Sequence, residues 1–409
     1  MASLRFLQIS DLHLDSAFSG ARLNFPAAKR EQLRRDAQTA LTNAMAVAVD
    51  REVEVILCPG DMWDDESVSL EAASHLYEAF GSLNPVPVFI APGNHDPGNA
   101  LSYHNPDFYQ SRVRRPHPPN VHVFSGTGLQ HFRHPSLEDV DFFGLAFNSN
   151  VPRSQRVLAD LRAIPTGPDH LCVFLMHGSR DDIVPPSGEG TRPITAPFSA
   201  AELLATNFDY TALGHYHGHA VITDPQTGLV RAAYSGCTAA RGLDESAPHG
   251  VLIGEIDVGG VVGSSLELID VEPRRIVRVT VEISQSVTNA AALQARMESA
   301  LNQAGCRPQD VAYVKFMGFL HPELTRLPLP SQEWADRVAF HIAYDDTALE
   351  PDYDLDSLSP ERLDGAFALR MKELMTDEQD PAKRARLRQA LFIGLDALNN
   401  REIRPRDVY

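Results

Sequence analysis

Short apolar runs alternate with helical stretches over the first two-thirds of the chain, and this alternation constrains the fold more than any other feature. The runs are rich in Val, Ile, Leu and Phe, and most of them lead into a polar turn that contains glycine. Such a pattern is typical of strands followed by turns. It predicts helices at residues 27–50 and 67–83, and strands at 4–10, 53–58, 86–91, 141–147, 171–176 and 210–213. We therefore expect an α/β fold.

The pattern changes twice after residue 213. Short runs with tight turns, at residues 220–223, 230–234, 251–256 and 265–271, are typical of the second sheet of a sandwich. We place a first domain at residues 1–273 and a small α+β domain at 274–345. The α+β domain is predicted to have strands at 277–283, 311–317 and 337–344 and a helix at 289–303. Residues 346–409 are predicted to hold an acidic linker, which begins at about Asp345, and helices at 360–375 and 381–399.

Composition excludes several classes of protein. The chain has 36 Lys and Arg against 54 Asp and Glu, a formal charge of −18, so it is not a nucleic-acid binder held by overall positive charge. No apolar run approaches the ~18 residues of a membrane span, and no signal-peptide pattern is recognisable. Four scattered cysteines without a C-x-x-C pair are typical of free thiols in a reducing compartment. We therefore expect a cytoplasmic protein that does not associate with membranes.

Potential metal ligands follow nearly every predicted strand of the first domain. These motifs are, in chain order, Asp11-Leu12-His13, Gly60-Asp61-Met62-Trp63-Asp64, Gly93-Asn94-His95-Asp96, His177-Gly178 and Gly214-His215-Tyr216-His217. In a layered α/β fold, the loops at the carboxyl ends of the strands gather at one edge, where ligands bind. Asp, Asn and His are suitable ligands for divalent metals of intermediate hardness. The motifs therefore predict one metal site at that edge.

Each motif alone has a simpler interpretation. A single Asp-x-His is more often a turn with an unrelated histidine, and His177 alone would more often be a core histidine. The i, i+2 spacing of Asp11 and His13, however, lets extended backbone direct both side chains to one point. A carboxylate such as Asp61 can bridge two ions that lie ~3.5–4 Å apart in two-metal hydrolytic sites. Five such pieces at successive strand ends favour a shared site over five coincidences.

These motifs, in this order, resemble the calcineurin-like metallophosphoesterase superfamily over about residues 4–272. Residues 9–15 and 59–64 are most similar to the SbcD-type DNA repair exonucleases, a branch that includes the nuclease subunit of the double-strand-break repair complex. The resemblance implies a four-layer αββα sandwich, followed by a small α+β capping domain and a C-terminal helical segment.

The resemblance also implies a role for each motif residue. The implied ligands are, for one ion, Asp11, His13, Asp61 and His217 and, for the other, Asp61, Asn94, His177 and His215. Asp61 would therefore bridge two divalent ions. Manganese is the usual ion of this branch, and a shell of Asp, Asn and His is compatible with it.

His95 would be the catalytic histidine of such a site, facing the leaving-group oxygen or the scissile phosphate. Two divalent ions make water nucleophilic at neutral pH, and His95 would protonate or stabilise the departing sugar oxygen. A histidine in this role needs a partner that fixes its tautomer. Asp64 and Asp96 are both candidates for that partner.

Three functions fit the sequence. The first, which we expect, is a manganese-dependent DNA exo- or endonuclease. In this family the nuclease works as a dimer with an SMC-like ATPase, which the helices beyond the cap would contact. The second is a phosphodiesterase or phosphatase that acts on nucleotides or another small phosphoester. The acidic charge favours it, and so does Asp64, where the nuclease branch often carries a histidine. The third is a non-catalytic subunit of an ATPase complex, which the complete ligand set disfavours.

Overall fold

Two groups of parallel strands, joined by antiparallel strands, form one large sheet in the computed structural model of the chain. The chain divides into two compact units, Met1–Arg275 and Ile276–Tyr409. The structure describes residues 3–16, 25–64, 68–159, 161–163, 170–182, 194–243, 245, 248–321, 324, 326–351, 353, 355–400 and 403.

The first unit contains all the strands that carry the predicted ligands. Its described strands are β1 (Leu4–Gln8), β2 (Val55–Cys58), β3 (Val88–Ile90), β4 (Val121–Val123), β5 (Gln130–Arg133), β6 (Val140–Leu145), β7 (Leu171–His177), β8 (Tyr210–Gly214), β9 (Ala220–Thr223), β10 (Val230–Tyr234), β11 (Val251–Asp257), β12 (Gly260–Val261) and β13 (Glu267–Ile269). Its described helices are α1 (Ala27–Asp50), α2 (Leu70–Gly81), α3 (Pro106–Val113) and α4 (Ala200–Leu204).

The strand order explains how the motif loops meet. It runs β4-β3-β2-β1-β11-β12-β10-β8-β7-β6-β5, with β13 beside β11 and β9 beside β10. Strands β1 to β4 are parallel to one another, and so are β6 to β8. The strands after residue 214 do not form the separate sheet expected from the sequence. Instead, β11 pairs with β1 and β10 pairs with β8, so these strands connect the two parallel groups.

Apolar side chains cover both faces of the parallel strands. In β2, Ile56 and Cys58 pack with the buried faces of α1 and α2, whereas Val55 and Leu57 pack with side chains from β6, β7 and β8. A third cluster joins the remaining face of β7 to α4. Parallel sheets are normally buried on both faces. The predicted α/β class is therefore confirmed for this unit.

A three-stranded parallel sheet forms the core of the second unit. Its strands and helices are β14 (Ile276–Ile283), α5 (Ala290–Gln303), β15 (Val311–Leu320), α6 (Gln332–Val338), β16 (His341–Pro351), α7 (Leu363–Asp377) and α8 (Pro381–Leu398). Asn289 caps α5, accepting a hydrogen bond from the Ala292 N–H at 3.0 Å. The strand predicted at 277–283 and the helix predicted at 289–303 are both present.

Three boundaries in this unit differ from the sequence prediction. The strand predicted from Arg337 begins at His341 instead, because Gln332–Val338 form helix α6, which the Ser331 side chain caps at its amino end. The strand β16 continues to Pro351, so half of the predicted acidic linker is sheet; there Asp345 accepts hydrogen bonds from the Thr347 N–H and the Tyr313 hydroxyl. The helix predicted from residue 360 begins at Leu363, since the preceding four residues form a turn.

The longest described helix, α1, is amphipathic: Leu33, Ala37 and Leu41 face the core, whereas Glu31, Arg35 and Thr42 are exposed. Among the helices that the structure describes, none combines the length and the apolar character that crossing a bilayer requires. The four cysteines are free thiols, and burial raises the pKa of Cys172 to about 12.

Candidate metal centre

The ten predicted site residues lie at the carboxyl ends of five strands. They are Asp11 and His13 after β1, Asp61 and Asp64 after β2, Asn94, His95 and Asp96 after β3, His177 at the end of β7, and His215 and His217 after β8. Seven of them are buried, whereas Asn94 and Asp64 are partly buried and the His95 side chain is 50% exposed. The two groups of parallel strands thus direct their carboxyl ends to the same place.

Four of these residues have backbone conformations that L-residues rarely adopt. The angle φ is 52° at Asp11, 42° at His13, 56° at Asp61 and 112° at His215. Each such residue costs on the order of 1–3 kcal/mol, and such strain concentrates at functional sites. Hydrogen bonds between the loops maintain it: the Asp11 N–H donates to the Gly60 carbonyl and the His13 N–H to the Asp61 carbonyl, both at 3.1 Å. The local backbone therefore supports a functional role.

One cluster of ligand atoms comes from β1 and β8. Asp11, His13 and His217 each place one such atom within 4.8 Å of the others. His13 Nε2 lies 3.2 Å from His217 Nε2, which lies 3.9 Å from Asp11 Oδ1. Asp61 Oδ2 lies 3.6 Å from His13 Nε2. The structure thus brings together the four residues that the resemblance assigns to one ion.

A second cluster contains Asp11, Asp61 and His177. His177 Nε2 lies 3.2 Å from Asp61 Oδ2, the oxygen that also faces His13. Within the described part of the chain, Asp61 Oδ2, Asn94 Oδ1 and His177 Nε2 are buried without a hydrogen bond. A buried polar atom in this state costs about 1–3 kcal/mol. These three atoms therefore fit a bound cation that would use them as ligands.

His215 belongs to the same surroundings as the second cluster. Its backbone N–H donates to Asp11 Oδ1 at 3.1 Å, and the centre of its ring lies 5.2 Å from that of His177. The bond to Asp11 joins the loop after β8 to the loop after β1. Apart from Asn94, for which burial of the amide oxygen is the evidence, every residue in the two implied ligand sets thus lies in one connected group.

Three of the four histidines in the implied ligand sets have an oxygen atom within hydrogen-bonding distance of Nδ1. His13 Nδ1 lies 2.7 Å from Asp64 Oδ1, His177 Nδ1 lies 2.9 Å from the Pro59 carbonyl oxygen, and His217 Nδ1 lies 2.5 Å from Glu245 Oε1. An oxygen at Nδ1 favours the tautomer that leaves a lone pair on Nε2, and metal-binding histidines are commonly held in this way. The short distance between the Nε2 atoms of His13 and His217 then places two lone pairs face to face, which a cation between them would stabilise.

The sequence left two candidates for the partner of His95, and the two aspartates have different surroundings. Asp64 Oδ1 lies 3.1 Å from His95 Nδ1. Hydrogen bonding to Asp64 raises the pKa of His95, although burial opposes the shift. Asp96 instead accepts hydrogen bonds from the backbone N–H groups of Asp61, Met62 and Gly93 at 2.7–2.9 Å. In the structure Asp64 is therefore the partner of His95, and Asp96 holds the backbone of the two loops.

A buried histidine that the motifs do not include supports Asp96. His104 Nε2 lies 2.9 Å from Asp96 Oδ2, and its Nδ1 lies 2.9 Å from the Tyr77 hydroxyl. The ring of His104 stacks on Trp63, with 4.2 Å between ring centres. Trp63 thus packs beneath the loops of the site.

Glu245 and Arg241 also belong to the site, although no sequence motif predicts either of them. Glu245 contacts His217 Nδ1 and accepts a hydrogen bond from the backbone N–H of Arg241 at 2.6 Å. The Arg241 guanidinium lies 3.3 Å from His217 Nε2 and 3.7 Å from Asp64 Oδ2. Both residues come from an irregular segment after β10 that carries no motif. A pair of opposite charges four residues apart is their only sequence signal, and it is common elsewhere.

Burial determines much of the charge at the site. It raises the pKa of Asp11 to about 7 and, together with the charge of Arg241, lowers that of His13 to about 4. Burial would also raise the pKa of Asp61, but His177 and His13 hold it well below its usual range. In the same way, Asp61 overcomes burial and raises the pKa of His177 to about 9. Buried carboxylates beside imidazoles are the kind of group that a divalent cation stabilises by displacing protons.

Two solved structures resemble the chain over part of its length. One is TT1561 of Thermus thermophilus, with 12% identity and a TM-score of 0.36, covering 66% of this chain and all of that one. The other is a dimetal phosphatase from Danio rerio, with 14% identity and a TM-score of 0.36, covering 62% of this chain and 93% of that one.

A curated relative matches at the level of sequence. It is the uncharacterized metallophosphoesterase YhaO of Bacillus subtilis (strain 168), which is 25% identical over 265 residues. The match covers 64% of this chain and 59% of YhaO, so the chain spans less than two thirds of the length of its relative.

A family model gives the most extensive match along the chain itself. The model of the calcineurin-like phosphoesterases matches residues 4–219. This range is more than half of the 409 residues, and it includes all five motif loops. The clustered carboxylates and imidazoles described above lie within it, apart from the supporting residues Arg241 and Glu245. The chain therefore belongs to the calcineurin-like phosphoesterase family.

Proposed function

We propose that the chain is a phosphodiesterase that uses two divalent metal ions, Mn²⁺ in the first instance, and that DNA is its substrate. One observation carries the proposal: the structure clusters buried ligand atoms of five residues, which are Asp11, Asp61, His13, His177 and His217. In each of the three histidines, an oxygen atom contacts Nδ1 and leaves Nε2 for a metal ion. When bound, the ions would supply a nucleophilic water and neutralise charge on the phosphate.

The residues of the chain would divide the remaining work. His95 is the most exposed of the predicted site residues, and with its Nδ1 on Asp64 it has Nε2 available for substrate. Hydrogen bonding to Asp64 raises the pKa of His95, which favours the protonated ring that would donate to the leaving oxygen. The Asp61 carboxylate accepts a hydrogen bond from the backbone N–H of His95 at 2.9 Å, which links the loop of the catalytic histidine to the ligand set.

The choice of DNA rests on the similarity of residues 9–15 and 59–64 to SbcD-type nucleases, and on the exposure of His95 at the surface of the site. A nucleotide or another small phosphoester is the alternative substrate. Two features favour it: Asp64 stands where the nuclease branch often carries a histidine, and the first 273 residues contain 33 acidic against 18 basic residues. The two substrates require the same chemistry, so only an assay can separate them.

The test offers Mn²⁺-loaded protein linear duplex DNA, single-stranded DNA, cyclic nucleotides and bis(p-nitrophenyl) phosphate. We expect DNA cleavage that a chelator abolishes. The His95→Ala variant should keep its bound Mn²⁺ but lose about 10²- to 10⁴-fold in rate, the usual contribution of an acid–base group. The control is His75→Ala, on α2, whose ring contacts the Gln38 carbonyl of α1 rather than the site.

Two outcomes would decide against parts of the proposal. Turnover of small phosphoesters without any cleavage of DNA would support the alternative substrate. Equal rates in wild type and His95→Ala would exclude the proposed role of His95.

Three finer features belong to the same proposal. The three apolar layers around the parallel strands support the four-layer αββα sandwich, and the sheet of the second unit would act as the cap. Exposed Leu363 and Leu369 on α7 support a contact of the C-terminal helices with an SMC-like ATPase. We also propose a homodimer, for which sedimentation of the full chain is the direct test.

A further inference from the structure

The guanidinium of Arg241 lies between the candidate metal ligands and the His95–Asp64 pair. One terminal nitrogen, Nη2, is 3.3 Å from His217 Nε2, and the other, Nη1, is 3.7 Å from Asp64 Oδ2. The Arg241 side chain is 21% exposed and the His95 side chain is 50% exposed, so solvent reaches both. No sequence motif assigns a role to this residue.

Surrounding acids hold this arginine in place. Glu245 Oε2 accepts a hydrogen bond from the backbone N–H of Arg241 at 2.6 Å, and Glu245 Oε1 lies 4.0 Å from Arg241 Nε. Among the residues that the structure describes, Arg241 Nε is buried without a hydrogen-bond partner. Asp64 and Glu245 each also hold a histidine, at His13 and at His217. The two acids thus position the guanidinium while they serve the ligand set.

The contact between Arg241 and His217 cannot coexist with a metal at His217. A neutral imidazole nitrogen has one lone pair, which either accepts a hydrogen bond or binds a cation. His217 Nε2 belongs to the ligand cluster with Asp11 and His13. An ion bound there requires Arg241 Nη2 to find another acceptor. The Arg241 guanidinium and an ion bound at His217 would be two neighbouring positive charges. Together they favour the binding of an anion between them.

We propose that this anion is the substrate phosphate and that Arg241 binds its non-bridging oxygens. The proposal rests on the proposed function and adds a phosphate-binding residue to it. A guanidinium offers two parallel N–H donors, which match a phosphate better than the single point charge of a lysine. Asp64 contacts both Arg241 and His95, so a phosphate at His95 lies beside the arginine.

The test measures binding of inorganic phosphate to Mn²⁺-loaded full-length protein by calorimetry, with bound Mn²⁺ measured separately by elemental analysis. Arg241→Ala should weaken phosphate binding about 10- to 100-fold, the value of a charge-assisted hydrogen-bonded pair. Arg241→Lys should recover part of the loss, since it keeps the charge without the fork. Both variants should retain Mn²⁺ at least as well as wild type, because one competitor for His217 is gone.

The control is Arg231→Ala. The Arg231 side chain is 12% exposed, lies at the amino end of β10, and pairs with Asp224 and the Phe208 carbonyl. The Arg231→Ala substitution removes a partly buried positive charge from the same unit, and Arg231 does not contact the site. Phosphate binding should therefore not change.

The outcomes separate this role from the proposed function. Equal phosphate affinity in wild type and Arg241→Ala overturns the role of Arg241 and leaves the proposed function standing. Loss of Mn²⁺ from Arg241→Ala also overturns it, because the arginine would then support the ligand set through Glu245. Wild-type protein that holds Mn²⁺ but binds no phosphate and hydrolyses no phosphoester overturns both.

Discussion

One carboxylate oxygen serves two histidines of the site. Asp64 Oδ1 lies 2.7 Å from His13 Nδ1 and 3.1 Å from His95 Nδ1. Burial would raise the pKa of Asp64, but hydrogen bonds with both rings and the charge of Arg241 hold it well below its usual range. An ionised acceptor at this point fixes one ring for binding a cation and the other for transferring a proton. Asp64 thereby couples ligand and catalyst.

The substitution Asp64→Asn tests this coupling. An amide keeps the shape of the side chain but cannot offer the same negative oxygen to both rings. We expect Mn²⁺ affinity to fall about 10- to 100-fold, as for other residues that support metal ligands, and the hydrolytic rate to fall at least as much. Competition with a fluorescent chelator measures the affinity, and bis(p-nitrophenyl) phosphate measures the rate.

The control for this substitution is Asp50→Asn, which neutralises an exposed acid at the end of α1. Should Asp64→Asn bind Mn²⁺ as tightly as this control, His13 would not depend on the carboxylate for its orientation.

At the scale of single residues, the sequence identifies candidates only where a motif follows a strand. Asp11 and His217 stand out because they end apolar runs with recognisable spacing, and the structure brings them together across 206 positions of chain. His104 and Glu245 have no such signal. His104 acts through contacts with Asp96, Tyr77 and Trp63, and Glu245 through contacts with His217 and Arg241. Contacts of this kind leave no periodic pattern in the sequence.

The loops after β2 and β3 pass each other so closely that a side chain on Gly93 has no room. A Cβ atom there would lie 2.3 Å from Asp61 Oδ1 and 2.8 Å from the Asp61 backbone nitrogen. Gly93→Ala should therefore push the loops apart, destabilise the unit by about 1–3 kcal/mol and displace Asp61 from the ligand set. Thermal unfolding and the amount of bound Mn²⁺ measure the two effects.

Gly128→Ala is the matched control, because a Cβ atom at Gly128 meets no other atom within 4 Å. If Gly93→Ala unfolds at the temperature of this control and keeps its Mn²⁺, the close approach of the two loops does not determine the position of Asp61.

At the scale of elements, length and apolar character together decide which helices and strands the sequence can predict. The helix predicted at residues 27–50 matches α1 at both ends, because 24 residues give many repeats of its apolar face. The strands β4 and β5 were missed because Val-His-Val and Gln-His-Phe-Arg are not apolar runs, whereas the equally short β2 and β3 are apolar throughout and were predicted. The pairing of β11 with β1 was also missed, since apolar patterning reveals which face is buried but not which strand lies alongside.

At the scale of the whole molecule, the charge is unevenly distributed. Of the formal −18, the first 273 residues carry −15 and the remainder −3. Two divalent ions would offset four negative charges at the single place where a phosphate must approach. The acidity therefore excludes a protein that coats DNA by overall attraction, and it is compatible with one that meets a phosphate through bound metal and Arg241.

Because each of the two compact units has its own core, metal binding should stabilise one of them selectively. An ion present at 100 times its Kd adds about 2.7 kcal/mol to the folded state that binds it. Two ions should then raise the midpoint of thermal unfolding of the first unit by on the order of 10–20 °C. The second unit carries none of the ligands, so its transition should not move.

Calorimetric scans of the full chain with Mn²⁺ and with a chelator measure both transitions. His217→Ala should abolish most of the metal-dependent shift, because it removes a ligand from the cluster with Asp11 and His13. His134→Ala, outside the candidate metal centre, should leave the shift intact. An equal shift of both transitions would place the effect of Mn²⁺ elsewhere than in these ligands. A metal-dependent shift that persists in His217→Ala would also show that Mn²⁺ binds elsewhere. The stabilisation would then not depend on the His217 imidazole, which the buried Glu245 orients.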